Sequence, residues 1–317
     1  MIPIWKVIWH EWRAADGTAR INEPCETMDD SEQVSSYVKA YEWGGPSSSL
    51  QLHHLRELST LIRPGDTVLD LACGPGPLLL ELAELYPDTD FIGADLSETM
   101  LAHLRMEVLR RDLRNVTVLQ EDIRTLPSLA DGRVDLVITT SALHHLPDED
   151  SLRQVFRRIT TVLKPGGGFY IFDFGLLKSQ EARDIFVREV GKLAPALTLR
   201  DYEASLRAAF PMERVLSLAR EELSQPIRAL GSAFVDFSYF LQTPPRSLPS
   251  SRVQSRIREV WHSLPLAIKF EHLMLRYLRF PRMAAQELSS AGNRILVQSA
   301  GASEPAARIG SCTVQEF

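Results

Sequence analysis

The stretch VLDLACGPG, residues 68–76, decides the fold of this chain. Its first four residues are mostly aliphatic, as in a parallel strand that is buried on both faces. Gly74 and Gly76 then predict a tight turn, because glycine adopts backbone conformations that other residues avoid. Pro77 follows at a position where proline commonly begins a helix. The stretch therefore predicts a strand, a turn and a helix in direct succession.

The same alternation continues over the next hundred residues. Further strands are predicted at 91–94, 116–119, 134–139 and 169–172, and helical patterns separate most of them. Strands that alternate with helices through short loops form a parallel sheet with helices on both faces. The predicted fold class is α/β, with a doubly wound and mostly parallel sheet.

Asp70 and the glycine spacing distinguish between two kinds of ligand for the turn. A dinucleotide-binding turn would have a third glycine where this chain has Leu79. A carboxylate at Asp70 would repel a pyrophosphate but would attract a cationic amino group. These two features favour S-adenosylmethionine, a phosphate-free cofactor with an ammonium and a sulfonium group, over a nicotinamide dinucleotide.

At these residues the chain resembles the class I S-adenosylmethionine-dependent methyltransferases, over roughly residues 24–210. The resemblance implies a seven-stranded Rossmann-like methyltransferase sheet. It also implies that Asp95 binds the ribose hydroxyls, that Leu96 and Ile123 lie against the adenine, and that Asp122 accepts its amino proton. The full set of expected cofactor-binding residues is Asp70, Ala72, Cys73, Gly74, Gly76, Asp95, Leu96, Asp122, Ile123, Thr140 and Tyr37.

Two further segments resemble a bacterial subgroup of this family. The first is an N-terminal signature, Pro24-Cys25-Glu26-Thr27-Met28-Asp29-Asp30 followed by Glu32-Gln33 and Tyr37, and the second covers residues 200–210. Thr140 and Ala204 stand where the subgroup usually has asparagines. If those amides contact the methyl acceptor, the acceptor of this chain differs from theirs.

Candidate catalytic residues follow the fourth and fifth strands, at the same sheet edge as the glycine turn. His144 or His145 is a candidate base because imidazole titrates near neutrality, and Asp173 is a candidate for orienting the acceptor. A purely structural role is the alternative for each of them. Cys73 is expected to be a packing residue. No metal site is predicted, since only hydroxyl side chains stand after the fourth strand, where a catechol-type metal site needs carboxylates.

The acceptor is predicted only as a class. A net charge of −6 argues against nucleic acid, and the Asp/Asn-Pro-Pro-aromatic element of nucleobase methyltransferases is absent after the fourth strand. We therefore expect O-, N- or C-methylation of a small molecule, hydrophobic, anionic or carrier-bound, that leaves S-adenosylhomocysteine. The alternatives are a non-catalytic scaffold or regulatory protein, and an NAD-dependent oxidoreductase.

The chain is divided into four predicted segments. These are an N-terminal arm and lid (1–46), the cofactor-binding catalytic domain (47–220), a helical cap or insertion (221–290), and a last strand near 294–298 with a flexible tail (291–317). The third segment is alternatively a homodimer interface, a membrane-surface element or a helix packed on the core. Widely spaced cysteines, no convincing signal peptide and no long apolar run predict a cytoplasmic protein.

Overall fold

The computed structural model describes residues 3–14, 17–23, 27, 29–192, 194–277 and 279–281. Four residues of the N-terminal signature, Pro24, Cys25, Glu26 and Met28, lie outside the described residues. The predicted last strand at 294–298 and the predicted tail lie outside them as well.

The elements follow the predicted alternation through the middle of the chain. The helices are α1 Ile4–Arg13, α2 Ser31–Ala40, α3 Ser48–Leu58, α4 Pro77–Leu85, α5 Glu98–Arg110, α6 Glu149–Val162, α7 Gln180–Val190, α8 Ala196–Ala208, α9 Met212–Glu222, α10 Ser251–Ser263 and α11 Leu266–Tyr277. The strands are β1 Thr67–Leu71, β2 Asp90–Asp95, β3 Val116–Gln120, β4 Val134–Thr140, β5 Leu163–Phe174, β6 Arg228–Ser232, β7 Ser238–Gln242 and β8 Arg279–Pro281. Pro77 begins α4, as the sequence predicts.

The strands form one sheet in the order β3-β2-β1-β4-β5-β7-β6-β8. The first five strands in this order run parallel, and the last three join it in antiparallel pairs. The chain winds outward from β1 to β3 on one side and from β4 on the other. The gap between these two directions, at the carboxyl ends of β1 and β4, is where open α/β sheets bind ligands.

The doubly wound α/β fold is confirmed, with two differences in detail. The described residues form eight strands where seven are expected. In addition, the segment 221–290 begins with two strands of the main sheet, and its helices follow only from Ser251. The physical reason is burial: every residue of β7 is buried, so its apolar residues occupy consecutive positions and show no alternation.

Two apolar cores fix the sheet from opposite faces. Val68 packs with residues of α3, α4 and α10, whereas Leu69 and Leu71 pack with residues of α6 and α9. These three β1 side chains are fully buried, and each such burial contributes about 1.5–3 kcal/mol. Because side chains alternate along a strand, Asp70 shares the face of Val68. The cores therefore hold the end of β1 in one position.

The N-terminal helices pack on the helices that follow the fifth strand. Val7 of α1 joins an apolar cluster with Ile185 and Phe186 of α7, and α2 packs on α8. These contacts bring the N-terminal arm to the carboxyl edge of the sheet. Within the described part of the chain, no helix combines the length and the apolar character needed to cross a membrane.

Candidate functional site

The turn after β1 has a left-handed backbone at Ala72, Gly74 and Gly76, with φ values of 52°, 54° and 74°. A Cβ added to Gly74 would meet only the Met100 Sδ, at 4.0 Å, so space is open beside this residue. A Cβ on Gly76 would lie 2.4 Å from Leu104 Cδ1. Packing against Leu104 therefore explains Gly76, whereas the sequence suggests close approach of a ligand at both glycines.

Cys73 lies within this turn and is buried. Burial, followed by the charges of Asp70 and Asp95, raises the pKa of its thiol well above the ordinary value. The thiol therefore stays protonated near neutral pH, which fits a packing role and excludes an activated nucleophile.

Asp95, the last residue of β2, links the turn to the start of α5. Its Oδ2 accepts a hydrogen bond from the Gly74 N–H at 2.8 Å, and its Oδ1 accepts one from the Ser97 N–H at 2.9 Å. Burial raises the pKa of Asp95, although these backbone N–H groups oppose the shift. The Leu96 N–H also contributes to this effect. A carboxylate has about four lone-pair sites, so acceptor capacity remains for the hydroxyl groups of a ligand.

Asp70 is 4% exposed and lies beside Asp95. Among the described residues its side chain has no hydrogen-bond partner. Burial, and then the charge of Asp95, raises the pKa of Asp70 to about 8. A cationic ligand group beside Asp70 would favour its ionised form and supply the partner that the described residues do not. The donors and acceptors at this edge thus fit the ammonium and ribose of S-adenosylmethionine.

Two tyrosines at the C-terminal end of α2 lie at this edge: Tyr37 within the helix and Tyr41 directly after it. The rings of Tyr37 and Tyr41 stack with their centroids 4.5 Å apart. Burial, Tyr41 and the charges of Asp70 and Asp95 raise the pKa of Tyr37 well above its ordinary value, so the tyrosine lies within electrostatic range of the two carboxylates. Tyr41 hydrogen-bonds Ser141 after β4. The helix therefore spans from the predicted cofactor residues to the loop that carries the histidines.

The N-terminal signature explains how α2 is held there. Asp30 caps α2 by accepting hydrogen bonds from the N–H groups of Glu32 and Gln33. Asp29 accepts a hydrogen bond of 2.6 Å from the Ser97 hydroxyl, two residues after Asp95. Gln33 donates to Asp201 of the second resembling segment, at 3.2 Å. The two segments therefore contact each other, and the signature contacts the end of β2.

The residues expected around the adenine differ in their exposure and in their contacts. Ile123 is buried, whereas Leu96 is 42% exposed. The exposed Leu96 side chain is available for an adenine ring to pack against. Asp122 binds Arg124, whose Nη2 lies 2.7 Å from Oδ2. An adenine amino group would therefore share this carboxylate with Arg124. Thr140 ends β4 opposite Phe172, at the same edge of the sheet.

The two histidines and Asp173 come together with a fourth residue, Glu23. His144 Nδ1 lies 2.7 Å from Asp173 Oδ1, and the His144 N–H donates to Asp173 Oδ2 at 3.0 Å. His145 Nδ1 lies 2.9 Å from Glu23 Oε2, while Glu23 Oε1 accepts a hydrogen bond of 2.9 Å from Ser205. His144 is buried, whereas 27% of the His145 side chain is exposed. His145 is therefore the histidine that a ligand can reach.

The ionisable side chains of this cluster can accept and donate protons. Burial lowers the pKa of His145, but Glu23 raises it by more, with help from Asp173 and Asp95, and the net pKa lies above the ordinary value. Ligand atoms of Glu23, His144 and His145 also lie within 4.8 Å of one another, close enough to hold a metal ion. Glu23 is already engaged by His145 and by a hydroxyl group, which favours proton transfer.

Glu23 and its neighbour Arg20 are site residues that the sequence did not reveal. The Arg20 side chain lies over the Phe210 ring, with 3.8 Å between its Cζ and the ring centroid. Its guanidinium donates to the backbone carbonyls of His144, Leu146, Pro147 and Ala208. Neither residue belongs to a periodic pattern, so only the folded chain shows that they hold the histidine loop.

Replacing Arg20 with lysine is expected to lower the free energy of unfolding by about 2–3 kcal/mol, because an ammonium group cannot serve four carbonyls in this fork geometry. Urea unfolding followed by circular dichroism measures the change. Arg114→Lys is the matched control, since the Arg114 side chain is 88% exposed. Equal stability of the two variants would contradict this role for Arg20.

Residues 68–167 match the model of a family described as a methyltransferase domain. The 27-O-demethylrifamycin SV methyltransferase of Amycolatopsis mediterranei is 33% identical over 153 residues, which are 47% of this chain and 54% of that protein. The demethylmenaquinone methyltransferase of Symbiobacterium thermophilum is 34% identical over 146 residues, 45% of this chain and 53% of that protein. The chain thus spans about half the length of these curated relatives.

A crystal structure from Methanococcus maripaludis, named as a candidate S-adenosyl-L-methionine-dependent methyltransferase, shares the fold. Its TM-score is 0.50 at 19% identity, over 73% of this chain and 98% of that one. Residues 68–167 are therefore similar to a methyltransferase domain, and the sheet has the fold of that crystal structure. The sequence matches support the resemblance to S-adenosylmethionine-dependent methyltransferases. The family match begins after the N-terminal signature, which stays a prediction.

Proposed function

We propose that this chain transfers the methyl group of S-adenosylmethionine to a small molecule whose nucleophile loses a proton. The observation that carries the proposal is the carboxylate pair at the switch point of the sheet. Asp95 is held by backbone N–H groups and can still accept hydrogen bonds from a ligand, and Asp70 is buried beside it with no side-chain hydrogen bond to the described residues.

The residues at this edge have separate parts in binding the cofactor. Asp95 would accept the ribose hydroxyls, Asp70 would pair with the ammonium group, and Leu96 and Ile123 would lie against the adenine. Tyr37 would close the site from α2. When bound, the cofactor supplies an electrophilic methyl group. The chain gains rate by holding the acceptor in line with that group and by excluding water.

His145 is the proposed base, and Glu23 is the residue that positions it. Neutral His145 accepts the proton of the acceptor, and the Glu23 carboxylate then stabilises the imidazolium through the 2.9 Å contact at Nδ1. His144 lies behind it and is fixed by Asp173. A hydroxyl group or an acidic carbon is the kind of acceptor that needs such a base.

The relatives support a small-molecule acceptor. By their names, the two described above methylate a rifamycin and a demethylmenaquinone, neither of which is a macromolecule. The first name specifies an oxygen acceptor. We infer that the acceptor of this chain belongs to the same broad class, with a cytoplasmic encounter between enzyme and substrate.

A labelled-methyl assay tests the proposal. The protein is incubated with S-[methyl-³H]adenosylmethionine and, in separate reactions, with the small-molecule, protein and nucleic-acid fractions of a cell extract, and the label is followed by chromatography. We expect the label in one or a few small products, together with S-adenosylhomocysteine. Label that appears only in protein or nucleic acid, or tight cofactor binding without transfer to any fraction, would contradict the proposal.

Cofactor binding is expected to release close to one proton at pH 7, because the free protein holds Asp70 protonated with a pKa of about 8. The ammonium group favours the ionised carboxylate and so lowers this pKa. Affinity for S-adenosylhomocysteine should therefore rise with pH up to about pH 8 and then level off. Titration calorimetry in two buffers that differ in ionisation enthalpy measures the proton release.

Asp70→Asn is the matched variant for this measurement, since it keeps the shape of the side chain but cannot titrate. It should bind the ligand more weakly above pH 8 and release no proton from this position. Binding by the unaltered protein with no proton release would show that Asp70 does not meet the cation.

A further inference from the structure

Helix α1 presents three tryptophans to solvent on one face. Trp5, Trp9 and Trp12 are 66%, 50% and 78% exposed, and Ile4 beside them is 41% exposed. Their spacings of four and three residues place them along one side of a helix. Large aromatic side chains are normally buried, so an exposed row of them marks an interaction surface. We call Ile4, Trp5, Trp9 and Trp12 the tryptophan face.

The opposite side of α1 is firmly attached to the protein. Val7 is fully buried in the cluster with α7. The Glu11 carboxylate accepts hydrogen bonds from the N–H groups of Lys178 and Ser179 at 3.0 and 2.8 Å, where α7 begins. These contacts fix which side of α1 points outward. The tryptophan face is therefore a property of the folded chain, and the helix would have to detach to hide it.

The charged side chains of α1 that flank the tryptophan face are positive. The Lys6 ammonium lies 5.3 Å from the centroid of the Trp5 ring, and the Arg13 Cζ lies 5.3 Å from that of Trp9. Glu11, the one acidic residue of the helix, is buried against α7. The chain as a whole has a net charge of −6, so this face is a basic region on an acidic protein. It is complementary to an anionic partner.

We propose that the tryptophan face docks on the surface of a lipid bilayer that contains anionic headgroups. Tryptophan is enriched where membranes meet water, because its ring is largely apolar and its N–H needs a polar partner. Amphipathic helices with basic residues beside such an apolar face lie in the plane of this interface. Each basic residue near an anionic surface strengthens binding by about fivefold.

The positive flanks favour a lipid surface over a second protein as the occupant. A neutral apolar groove would fit the rings but would leave Lys6 and Arg13 without counter-charges. An anionic bilayer surface provides an interface for the rings and counter-charges for both cations. With its ten residues, α1 is too short to span a bilayer, so it would lie on the surface. The proposal is independent of the methyl-transfer reaction.

Vesicle flotation tests the proposal with the full chain. The probes are vesicles of phosphatidylcholine alone and vesicles that also contain phosphatidylglycerol. We expect the protein to float with the second kind, with at least about a tenfold preference over the first and with a loss of binding in high salt. On binding, the tryptophan fluorescence should shift to shorter wavelength.

Two variants and one control identify the surface. The triple substitution Trp5→Ala, Trp9→Ala and Trp12→Ala should lose the binding, and Lys6→Glu with Arg13→Glu should remove the preference for phosphatidylglycerol. Met106→Ala with Leu109→Ala is the control, because these α5 side chains are 62% and 80% exposed elsewhere. Thermal unfolding checks that all variants fold. We expect them to do so, because the substituted side chains are exposed.

Three results would overturn the proposal. One is an unaltered protein that floats with neither vesicle, and another is a tryptophan variant that floats as well as the unaltered protein. The third is a dimer, seen in sedimentation, that the triple variant dissociates while vesicle binding is absent. In that case a second copy of the chain would be the occupant.

Discussion

Asp95→Ala is expected to weaken the binding of S-adenosylhomocysteine by about a hundredfold or more. The substitution removes a carboxylate that would accept two hydrogen bonds from the ribose, and a hydrogen bond to a charged group contributes about 1.5–3 kcal/mol. It also releases the N–H groups of Gly74 and Ser97, which the carboxylate now holds at 2.8 and 2.9 Å. The loss therefore combines a missing contact with a looser turn.

Calorimetric titration of Asp95→Ala against the unaltered protein measures this change. Asp90→Ala is the matched control, because Asp90 begins the same strand and is exposed at its opposite end. The control should bind as tightly as the unaltered protein. Thermal unfolding without ligand separates a damaged fold from a damaged site. An Asp95→Ala protein that is folded and binds normally would remove the ribose assignment.

His145→Gln is expected to lower the rate of methyl transfer by about 10²–10⁴-fold and to leave cofactor affinity unchanged. Glutamine can hydrogen-bond in the place of imidazole but cannot accept a proton near neutral pH. The labelled-methyl assay measures the rate at saturating cofactor, and calorimetry measures the affinity. His262→Gln, at an exposed position of α10, is the control. A full rate in His145→Gln would exclude this residue as the base.

The pH dependence of the same rate tests the part of Glu23. Protonated His145 cannot act as a base, so the rate should fall as the pH drops below the raised pKa of His145. The negative charge of Glu23 raises that pKa, so Glu23→Gln should move the fall to lower pH while cofactor affinity stays the same. A merely structural role for Glu23 would lower the rate at every pH without moving the profile.

The sequence predicts the parallel half of the sheet well, and the reason is local. Each of β1 to β4 is a short apolar run between turn residues, and the glycine turn follows β1 directly along the chain. Asp70 and Asp95 end adjacent parallel strands, so the fold class alone brings them together. The carboxylate pair could therefore be predicted before any coordinates were known.

The histidine cluster could be predicted only in part, because half of it comes from a distant segment. His145 follows β4 and Asp173 lies near the end of the neighbouring β5, but Glu23 comes from the N-terminal arm, where it contacts His145 and Ser205 of α8. The reason for glycine at position 76 could not be predicted from the sequence either, because the side chain is excluded there by Leu104 of α5. The antiparallel strand β7 lacks alternation because all its residues are buried.

The central claim is that the glycine turn and the carboxylate pair bind S-adenosylmethionine. Titration calorimetry of the unaltered protein with S-adenosylhomocysteine, and separately with NADH, tests it most directly. We expect one S-adenosylhomocysteine per chain and no heat from NADH, because no third glycine accommodates a pyrophosphate. Binding of NADH without any binding of S-adenosylhomocysteine would contradict the account.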